Sequence, residues 1–403
     1  MADFGGDAEA FRAEARAWLE ESFPAALRQN PALQMAAMMG DAEAPRARDW
    51  RERMGAKGWG TPTWPRQYGG GGLSKGEARV LAEEMSRIGA RNPIGGMGVM
   101  MFGPTLLEVG DEAQKQRHIP PIVRGELRWC QGYSEPGAGS DLASLQTRAE
   151  DRGDRWLVNG QKIWTSGANL ADWCFCLVRT DPGAKKHEGI SFLLIDMRTP
   201  GVEARPILLI NGTSPFCETF FTDVRVPKEN LMGPLNGGWS IAKRLLQFER
   251  DNISAGLGGG AIGSPQATAG VEELAKRCVG LDEGGRLADA DLRRRAADHK
   301  MENRAFQLTV RRASDEARSN QGPTAATSIM KYAGAKIAQD RTELGIEALG
   351  AKGLGWGGDG FERDELDRVR GWLRAKANSI EGGTSEVNLN VVAKRVLGLP
   401  DPR

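Results

Sequence analysis

The chain has 403 residues, which a prior of roughly 150 residues per domain divides into two or three domains. Its 54 lysines and arginines nearly balance 53 aspartates and glutamates, and the formal net charge is +1. A charge so close to zero argues against a nucleic-acid binder or a protein that docks on anionic membranes, because both need a basic excess. Charged residues make up 27% of the chain and hydrophobic residues 40%, which is typical of a folded globular protein.

The first residues lack the features of an export signal, since no basic segment followed by an apolar core precedes the first amphipathic stretch. The sequence has no run of 18 apolar residues, so we expect a cytoplasmic protein without membrane insertion. The five cysteines and three histidines have no metal-ligand spacing, and we expect no metal. Cys174 and Cys176 alternate along an apolar run, which favours thiols packed in a core.

Residues 1–125 have the apolar spacing of helices. Phe11, Ala15 and Leu19 recur at intervals of four, which places them on one helical face. Further helices are predicted at 49–57, 75–87 and 111–124. The connector TPTWPRQYGGGGLS separates the first two of these, and its prolines and glycines exclude a helix.

Residues 126–235 change to the alternating pattern of strands. Asn159-Gly160 separates two short runs, and this dipeptide is a strong signal for a two-residue hairpin turn. The block predicts a β-barrel or β-sandwich of about 100 residues. The strands are predicted at 145–150, 155–158, 162–164, 172–179, 190–195 and 217–226.

Residues 236–403 return to helical spacing, so the order along the chain is helical, β, helical, an α+β architecture. The string GGGAIG at 258–263 has the glycine spacing of dinucleotide-binding loops. Those loops follow a strand, whereas this string follows a predicted helix, so we interpret its small residues as allowing close helix packing. The helices are predicted at 239–253, 267–277, 288–319, 325–349 and 387–396.

One carboxylate lies on an otherwise apolar helical face. In the first helix of this block Ala242 and Leu245 share a stripe, and Glu249 lies on it four residues after Leu245. Partial burial raises the pKa of a carboxyl towards the range useful for proton abstraction. A structural salt bridge to the neighbouring Arg244 or Arg250 is the alternative interpretation.

Three loops carry groups suited to a planar, polar cofactor. The loop YSEPGAGSD at 133–141 offers backbone N–H groups and two hydroxyls to the acceptors of a flavin or a phosphate. The loop WTSG at 164–167 places an aromatic face beside hydroxyls. The loop SIEGGTSE at 379–386 is glycine-rich and precedes a helix, whose N-terminus can receive an anion. Each is equally consistent with an ordinary surface loop when it is considered alone.

Taken together, these segments resemble the acyl-CoA dehydrogenase family. The resemblance spans nearly the whole chain and implies an N-terminal α-helical domain (1–125), a middle β-barrel domain (126–235) and a C-terminal four-helix bundle domain (236–403). It also implies non-covalent FAD in a tetramer. The segments that carry it, in chain order, are WPRQYGGGGLS, YSEPGAGSD, NGQKIWTSGA, FFTDVRVP, EALGAKG and GGTSEVNLNVVAKRVLGLP.

The resemblance places the flavin against the middle block. Ser134 should bond the pyrimidine side of the flavin, and Trp164 should lie against its isoalloxazine ring with two hydroxyls near N5. Ser140 stands at the position that contacts the pantetheine of CoA in relatives. The cofactor-binding residues implied here are Gln131, Tyr133, Ser134, Ser140, Trp164, Thr165 and Ser166.

Further FAD contacts are implied in the C-terminal block. Glu347, Gly350 and Ala351 belong to a stretch that reaches the adenosine of FAD from a neighbouring subunit in the family, and Glu347 stands where Gln is usual. Thr384 and Glu386 match the loop beside the FAD phosphates and ribityl chain.

The segment that usually grips the FAD pyrophosphate is altered. Relatives carry an Arg-x-x-Phe-Gly run, whereas this chain has KRCVGLDEGGRLADADLRRR, in which Lys276 or Arg277 would have to substitute. In this respect the chain resembles a bacterial branch that acts on bulky or unusual acyl-CoAs. Some of its members are heteromers of two dehydrogenase-like chains, so we expect either a homotetramer or such a heterotetramer.

The position of the catalytic base also departs from many relatives. Where they have a glutamate directly before Gly-Thr, this chain has Gly382, and Glu381 lies one residue early. Other relatives carry the base in a Glu-Arg pair on the preceding helix, which matches Glu249 and Arg250. The resemblance and the stripe argument therefore agree on Glu249, with Glu381 as runner-up. Gly382 is expected to donate its backbone N–H to the thioester oxygen, and Ser140 and Arg250 to contact substrate.

The predicted reaction is FAD-dependent α,β-dehydrogenation of an acyl-CoA to the trans-2-enoyl-CoA, with electrons passed to an electron-transfer flavoprotein. Fatty-acid or steroid side-chain catabolism is the expected setting. The alternatives are a flavin monooxygenase or oxidase on the same fold, or one subunit of a heteromeric dehydrogenase that need not itself be catalytic.

Overall fold

The computed structural model describes residues 5–28, 30, 33–34, 45–254, 270–318 and 325–400, apart from the side chains at some helix ends. The chain divides into two compact units. The first comprises Met1–Pro206 with Pro215–Arg250, and the second Ile207–Ser214 with Asp251–Arg403.

The N-terminal part of the first unit is helical, as predicted. The helix Lys75–Arg87 (α4) begins at a capping box, in which Glu77 N–H donates to Ser74 Oγ (3.2 Å) and Ser74 N–H donates to the Glu77 carboxylate (2.7 Å). Asp111 and Gln114 form the same motif before α6. These caps satisfy backbone donors that would otherwise lack partners. The helices are α1 (Gly5–Ser22), α2 (Ala25–Arg28), α3 (Pro45–Lys57), α4 (Lys75–Arg87), α5 (Gly103–Val109) and α6 (Glu112–Val123).

Within the described residues, seven strands form one sheet. Six of them follow the order β1-β4-β2-β3-β7-β6, and β5 pairs with β4 outside this order. Strand β1 runs parallel to β4, whereas β3 is antiparallel to both β2 and β7. The strands are β1 (Trp129–Gly132), β2 (Arg148–Asp151), β3 (Arg155–Ser166), β4 (Trp173–Arg179), β5 (Ile190–Asp196), β6 (Val202–Ile207) and β7 (Phe216–Pro227).

Strand β4 is buried on both faces and divides two cores. Phe175 and Leu177 pack with the N-terminal helices, whereas Cys174 and Cys176 point to the opposite face and pack among the strands. This alternation follows from the two-residue period of a strand. Cys174 and Cys176 are fully buried free thiols, so their prediction as core residues is confirmed.

The hairpin predicted at Asn159-Gly160 is wrong. Strand β3 runs unbroken through both residues, and the turn that reverses the chain lies at 152–154, between β2 and β3. Gly160 serves a different purpose, because a Cβ there would lie 2.6 Å from the Cα of Thr147 on the neighbouring chain segment. Asn159 exchanges hydrogen bonds with Asp223 across a β-bulge in β7, so its side chain pairs two strands and does not form a turn.

His118 of α6 is buried in the core that joins the helices to the sheet. Its ring packs edge-on against Trp129 (5.1 Å between centroids) and Trp173 (4.7 Å). Burial, with a smaller contribution from Arg117, lowers the pKa of His118 to about 4. The folded chain therefore holds this imidazole neutral at pH values where the unfolded chain protonates it.

We expect this burial to make the protein less stable in mild acid. The folded-state pKa lies below the unfolded value of about 6.5, so the His118 contribution is complete above pH 6.5 and is lost as pH falls towards 4, by about 3 kcal/mol in total. Thermal melting of the parent and of His118→Leu at several pH values checks this. The difference between the two should move in favour of the variant as pH falls, and a constant difference would contradict the prediction.

The remaining helices follow the sheet. Helix α7 begins in the first unit, and α8 to α12 belong to the second. With them the α+β fold of helical, β and four-helix-bundle parts is confirmed, although α2, α5, α11, β1 and β6 were not predicted. Among the described helices, none is long and apolar enough to cross a membrane. These helices are α7 (Gly238–Ser254), α8 (Val271–Cys278), α9 (Ala290–Arg318), α10 (Ala325–Leu349), α11 (Arg363–Ala375) and α12 (Ser385–Val391).

Candidate active site

A buried ion pair anchors the loop that follows β1. Lys162 of β3 is 0% exposed, and its ammonium donates to Glu135 Oε1 (2.8 Å) and to the Tyr133 carbonyl (3.1 Å). The Glu135 carboxylate, 7% exposed, also accepts from the N–H groups of Gln146 (2.6 Å) and Thr147 (2.9 Å). Burial by itself would raise the pKa of Glu135, but Lys162 and these hydrogen bonds hold the pKa below its ordinary value. Both ions are thus satisfied inside the protein, as buried charges must be.

The anchored loop presents Ser134 next to the end of β3. The Ser134 carbonyl accepts from Ile163 N–H (2.8 Å), and Glu135 and Ala138 exchange backbone hydrogen bonds of 3.0 Å across a tight turn. Beyond that turn, Ser140 is exposed to solvent. Asp141 beside it forms an ion pair with Lys186.

Trp164 lies in a β-bulge of β3. Two residues of β3 oppose one of β7 between Lys162 and Thr165, and Trp164 has a positive φ of 60°. A bulky residue in this left-handed conformation is strained, and such strain is found mainly at functional sites. The bulge turns the indole outward: it is 53% exposed and contacts Phe216 edge-on, with 6.1 Å between ring centroids.

Two buried polar groups near this edge have no hydrogen-bond partner among the described residues. They are Thr165 Oγ1, on a side chain that is fully buried in β3, and Gln131 Nε2 in β1. An unsatisfied buried polar group costs about 1–3 kcal/mol and calls for an explanation. The protein itself encloses both atoms, so neither is open to an external ligand. The groups open to a flavin at this end of β3 are the exposed Trp164 indole and the half-buried Ser166 hydroxyl, which suit the face and the polar edge of its ring, so the residues present fit this cofactor. Ser166 follows Thr165 at the end of β3 and is half-buried.

Helix α7 carries the expected catalytic base. Ala242 and Leu245 on its stripe are buried, in agreement with the predicted apolar face. The backbone at Glu249 and Arg250 is helical, but the side chains of both residues lie outside the described part of the chain, as does the whole segment 258–263.

In the second unit, Glu381 is held by an arginine. Arg374 Nη2 donates to Glu381 Oε2 (2.7 Å), and both side chains are about one-quarter exposed. The next residue, Gly382, has a φ of +65°, a conformation that favours glycine. Its N–H makes no hydrogen bond within the described residues, so it is available to an external acceptor.

The other predicted FAD contacts of this unit lie on helix ends and turns. Glu347 forms a bidentate ion pair with Arg295 of α9 (2.5 and 2.8 Å), so its carboxylate already has a partner. Gly350 and Ala351 form the exposed turn that ends α10.

The C-terminal loop leads into α12, as the glycine-rich pattern predicts. Thr384 is the N-cap residue of that helix, where its hydroxyl accepts from Val387 N–H (3.2 Å), and Glu386 is exposed in its first turn.

The two cations proposed as substitutes in the altered pyrophosphate segment both have carboxylate partners. Lys276 pairs with Glu273 (2.9 Å) and Arg277 with Asp364 (3.1 Å). Within the described ranges, no group of three or more His, Cys, Asp or Glu side chains is placed to hold a metal ion.

Three family models of acyl-CoA dehydrogenases match consecutive parts of the chain: the N-terminal domain at 6–126, the middle domain at 130–224 and the C-terminal domain at 236–397. Acyl-CoA dehydrogenase IpdE1 of Mycobacterium tuberculosis is 37% identical over 98% of both chains. The chain belongs to the acyl-CoA dehydrogenase family. It is therefore an enzyme of this oxidoreductase family, as the sequence motifs predicted.

Solved structures of other acyl-CoA dehydrogenases have the same fold. The Tcur3481-Tcur3483 steroid acyl-CoA dehydrogenase is 32% identical with a TM-score of 0.72, over 99% of both chains. The ChsE4-ChsE5 complex from Mycobacterium tuberculosis is 30% identical with a TM-score of 0.72, over the full length of both chains.

Sequence reasoning missed several residues that support the candidate loops of each unit. Lys162 lies an even number of residues after the buried Trp156 and Val158 of β3, so the two-residue period of a strand could have placed it inside. No local pattern identifies Glu135 as its partner. Arg374 and Lys331 lie in helices and act on the loop at 378–383, and no spacing in the sequence connects them to it.

Proposed function

We propose that the chain catalyses FAD-dependent α,β-dehydrogenation of an acyl-CoA thioester to the trans-2-enoyl-CoA, with an electron-transfer flavoprotein as electron acceptor. The observation that carries the proposal is the end of β3, where the strained, exposed indole of Trp164 adjoins the half-buried hydroxyl of Ser166. When bound, FAD supplies the acceptor for the hydride that leaves the β-carbon.

The chain's own residues bind the cofactor and the thioester. Trp164 covers the flavin ring, and Thr165 and Ser166 lie near its N5, with the half-buried Ser166 hydroxyl as the side-chain donor. Gln131 supplies backbone groups beside the ring. Glu249 removes the α-proton as general base. The free N–H of Gly382 donates to the thioester oxygen, where negative charge develops as the proton leaves.

The remaining proposed contacts come from the middle and C-terminal domains. The middle domain, over 126–235, also contributes Tyr133, Ser134, Ser140 and Ser166, with Ser140 and Arg250 against the CoA substrate. The C-terminal domain, over 236–403, contributes Thr384 and Glu386 to the same FAD. Its residues Glu347, Gly350 and Ala351 serve the FAD of a neighbouring subunit. The N-terminal domain comprises 1–125.

A heterotetramer with a second dehydrogenase-like chain is the assembly we favour over a homotetramer. Within the described residues, every Lys and Arg of that segment, from Lys276 to Arg295, has a carboxylate partner, which argues against a cation reserved for the pyrophosphate. Two similar solved structures carry the names of two chains, and one of them is described as a complex. One of them, Tcur3481-Tcur3483, is a steroid acyl-CoA dehydrogenase, and this similarity supports a bulky, steroid-derived acyl group as substrate.

The visible spectrum of the purified chain, recorded without oxygen before and after addition of acyl-CoAs, tests this function. The panel includes straight-chain, branched and steroid side-chain thioesters. A flavin band that bleaches with one thioester supports the dehydrogenase and identifies its substrate class. A flavin band that no thioester changes contradicts it and favours an oxygen-using flavoenzyme. If the chain alone holds no flavin, the same titration is made after co-expression with a second dehydrogenase-like chain from the same source.

Replacing Ser166 with alanine is expected to weaken FAD binding by about 5- to 10-fold, because one hydrogen bond to the flavin worth about 1 kcal/mol is lost. The melting temperature of the FAD-free chain should change little, because the Ser166 side chain is only half-buried at the end of β3. Flavin fluorescence titration and thermal melting measure the two effects.

Thr219→Val is the control for that experiment. Thr219 on β7 is fully buried, so its hydroxyl has no access to a cofactor. It should leave FAD affinity unchanged. Equal effects of the two substitutions on FAD affinity would contradict the role of Ser166.

A further inference from the structure

Helix α10 carries polar side chains on one face, and they hydrogen-bond to a single stretch of chain, residues 372–383. Lys331, Gln339 and Glu343 are spaced at i, i+8 and i+12, with the buried Ala335 at i+4, so they share one helical face. Glu343 accepts from the Trp372 indole and the Lys376 ammonium, each at 2.7 Å. The stripe therefore fixes the segment 372–383, which ends at the loop of Gly382.

Lys331 binds the two sides of that loop. Its ammonium donates to the carbonyl of Asn378 (2.6 Å) and to the carbonyl of Gly383 (3.0 Å). Its Cε is the atom nearest to the position that a Cβ on Gly382 would take, at 3.8 Å. One half-buried cation thus bridges the two ends of the six-residue stretch 378–383 and passes beside Gly382.

The loop needs such an anchor. Gly382 and Gly383 have φ values of +65° and +96°, and consecutive glycines restrict the backbone less than other residues do. Arg374 holds the side chain of Glu381, but a side-chain contact leaves the peptide planes of the two glycines free to turn. The bonds from Lys331 to the Asn378 and Gly383 carbonyls instead hold the two ends of the loop together, and Asn388 Nδ2 also donates to the Gly383 carbonyl (3.0 Å).

We propose that Lys331 is a positioning residue, which holds the loop so that the free N–H of Gly382 points towards the thioester oxygen. The inference rests on the proposed function for its chemical meaning. Lys331 uses its donors on backbone carbonyls and acts through Gly382. Donors aimed in advance at developing charge contribute strongly to rate, and a displacement of about 1 Å can cost about 100-fold.

Gln339 provides a matched comparison. Its amide donates to the carbonyls of Ala375 (3.1 Å) and Lys376 (3.2 Å) and to Ser379 Oγ (3.2 Å), from the same face of the same helix. All three partners precede the two glycines, whereas Lys331 also binds the Gly383 carbonyl beyond Gly382. Lys331→Met and Gln339→Met each remove a donor to two carbonyls and keep a long apolar stem, so both should lower the melting temperature.

Steady-state kinetics of the flavin-loaded protein, with its partner chain if one is needed, separates the two variants. We expect Lys331→Met to lower kcat by about 10- to 100-fold with KM for acyl-CoA nearly unchanged, because the loss is confined to the transition state. Lys331→Arg should recover part of kcat, and Gln339→Met should keep kcat within about threefold. A merely structural role predicts similar kcat losses for Lys331→Met and Gln339→Met, and that result would overturn the proposal.

Hydrogen exchange of the peptide that covers 380–384 tests the positioning without any turnover. We expect faster exchange in Lys331→Met than in the parent and in Gln339→Met. An unchanged rate in Lys331→Met overturns the positioning even if the enzyme is active. If no thioester reduces the parent's flavin, the proposed function fails and the exchange result alone decides whether Lys331 orders the loop.

Discussion

Replacing Glu249 with glutamine is expected to lower turnover of acyl-CoA by at least about 100-fold while FAD content stays unchanged. A general base contributes roughly 100- to 10,000-fold to a proton transfer, and an amide of the same shape cannot accept the proton. The helical backbone of α7 extends through residue 249, four residues after the buried Leu245, as the sequence pattern predicted. Flavin absorbance during anaerobic mixing with substrate measures the rate directly.

The same measurement on Glu381→Gln discriminates between the two candidate bases. Arg374 Nη2 donates to Glu381 Oε2 (2.7 Å), so this carboxylate would have to leave its ion pair before it could reach a substrate proton. We therefore expect less than about a tenfold loss from Glu381→Gln. A loss that equals or exceeds that of Glu249→Gln would move the base to the loop.

The fold could be predicted where local rules and packing agree. Helix Lys75–Arg87 has its predicted bounds because a capping box starts it and a glycine with positive φ follows it closely. Helix Ala325–Leu349 also has its predicted bounds, since its apolar pattern continues without proline. Strand β1 has four residues, and its pairing with β4 is parallel and distant in sequence, so no local pattern marks it.

The error at Asn159-Gly160 has a physical cause. The dipeptide favours a tight turn when the flanking strands have nothing else to pair with. Here β7 runs alongside the whole of β3, and the pairing over Arg155–Ser166 outweighs one local turn. The glycine is needed because Thr147 lies too close for a side chain.

The candidate site was predictable in its residues and not in its geometry. The motifs around Ser134 and Trp164 were recognised in the sequence, but the bulge that turns Trp164 outward depends on the register between β3 and β7. Likewise, the lack of a partner for Thr165 Oγ1 is a property of the assembled core. A motif identifies the candidate residues, whereas the tertiary structure decides what each of them contacts.

Replacing Lys162 with methionine is expected to destabilise the chain by about 3–5 kcal/mol, because Glu135 would be left as a buried carboxylate without a counter-charge. For a unit of this size that corresponds to a loss of roughly 10 °C in melting temperature. FAD affinity should fall as well, because the pair anchors the loop that presents Ser134. Thermal melting and flavin titration measure the two effects.

The pH dependence of that loss distinguishes lost electrostatics from lost packing. In the parent the pKa of Glu135 is lowered, so this group contributes stability that is complete above its unfolded value and is lost as pH falls. In Lys162→Met burial acts without the ammonium and raises the pKa of Glu135, so protonation relieves the variant as pH falls. The deficit should therefore shrink from about pH 8 to about pH 5. Lys162→Met combined with Glu135→Gln removes both charges and should show a smaller deficit without this pH dependence. A deficit that stays constant with pH in the single variant would attribute it to packing of the lysine stem.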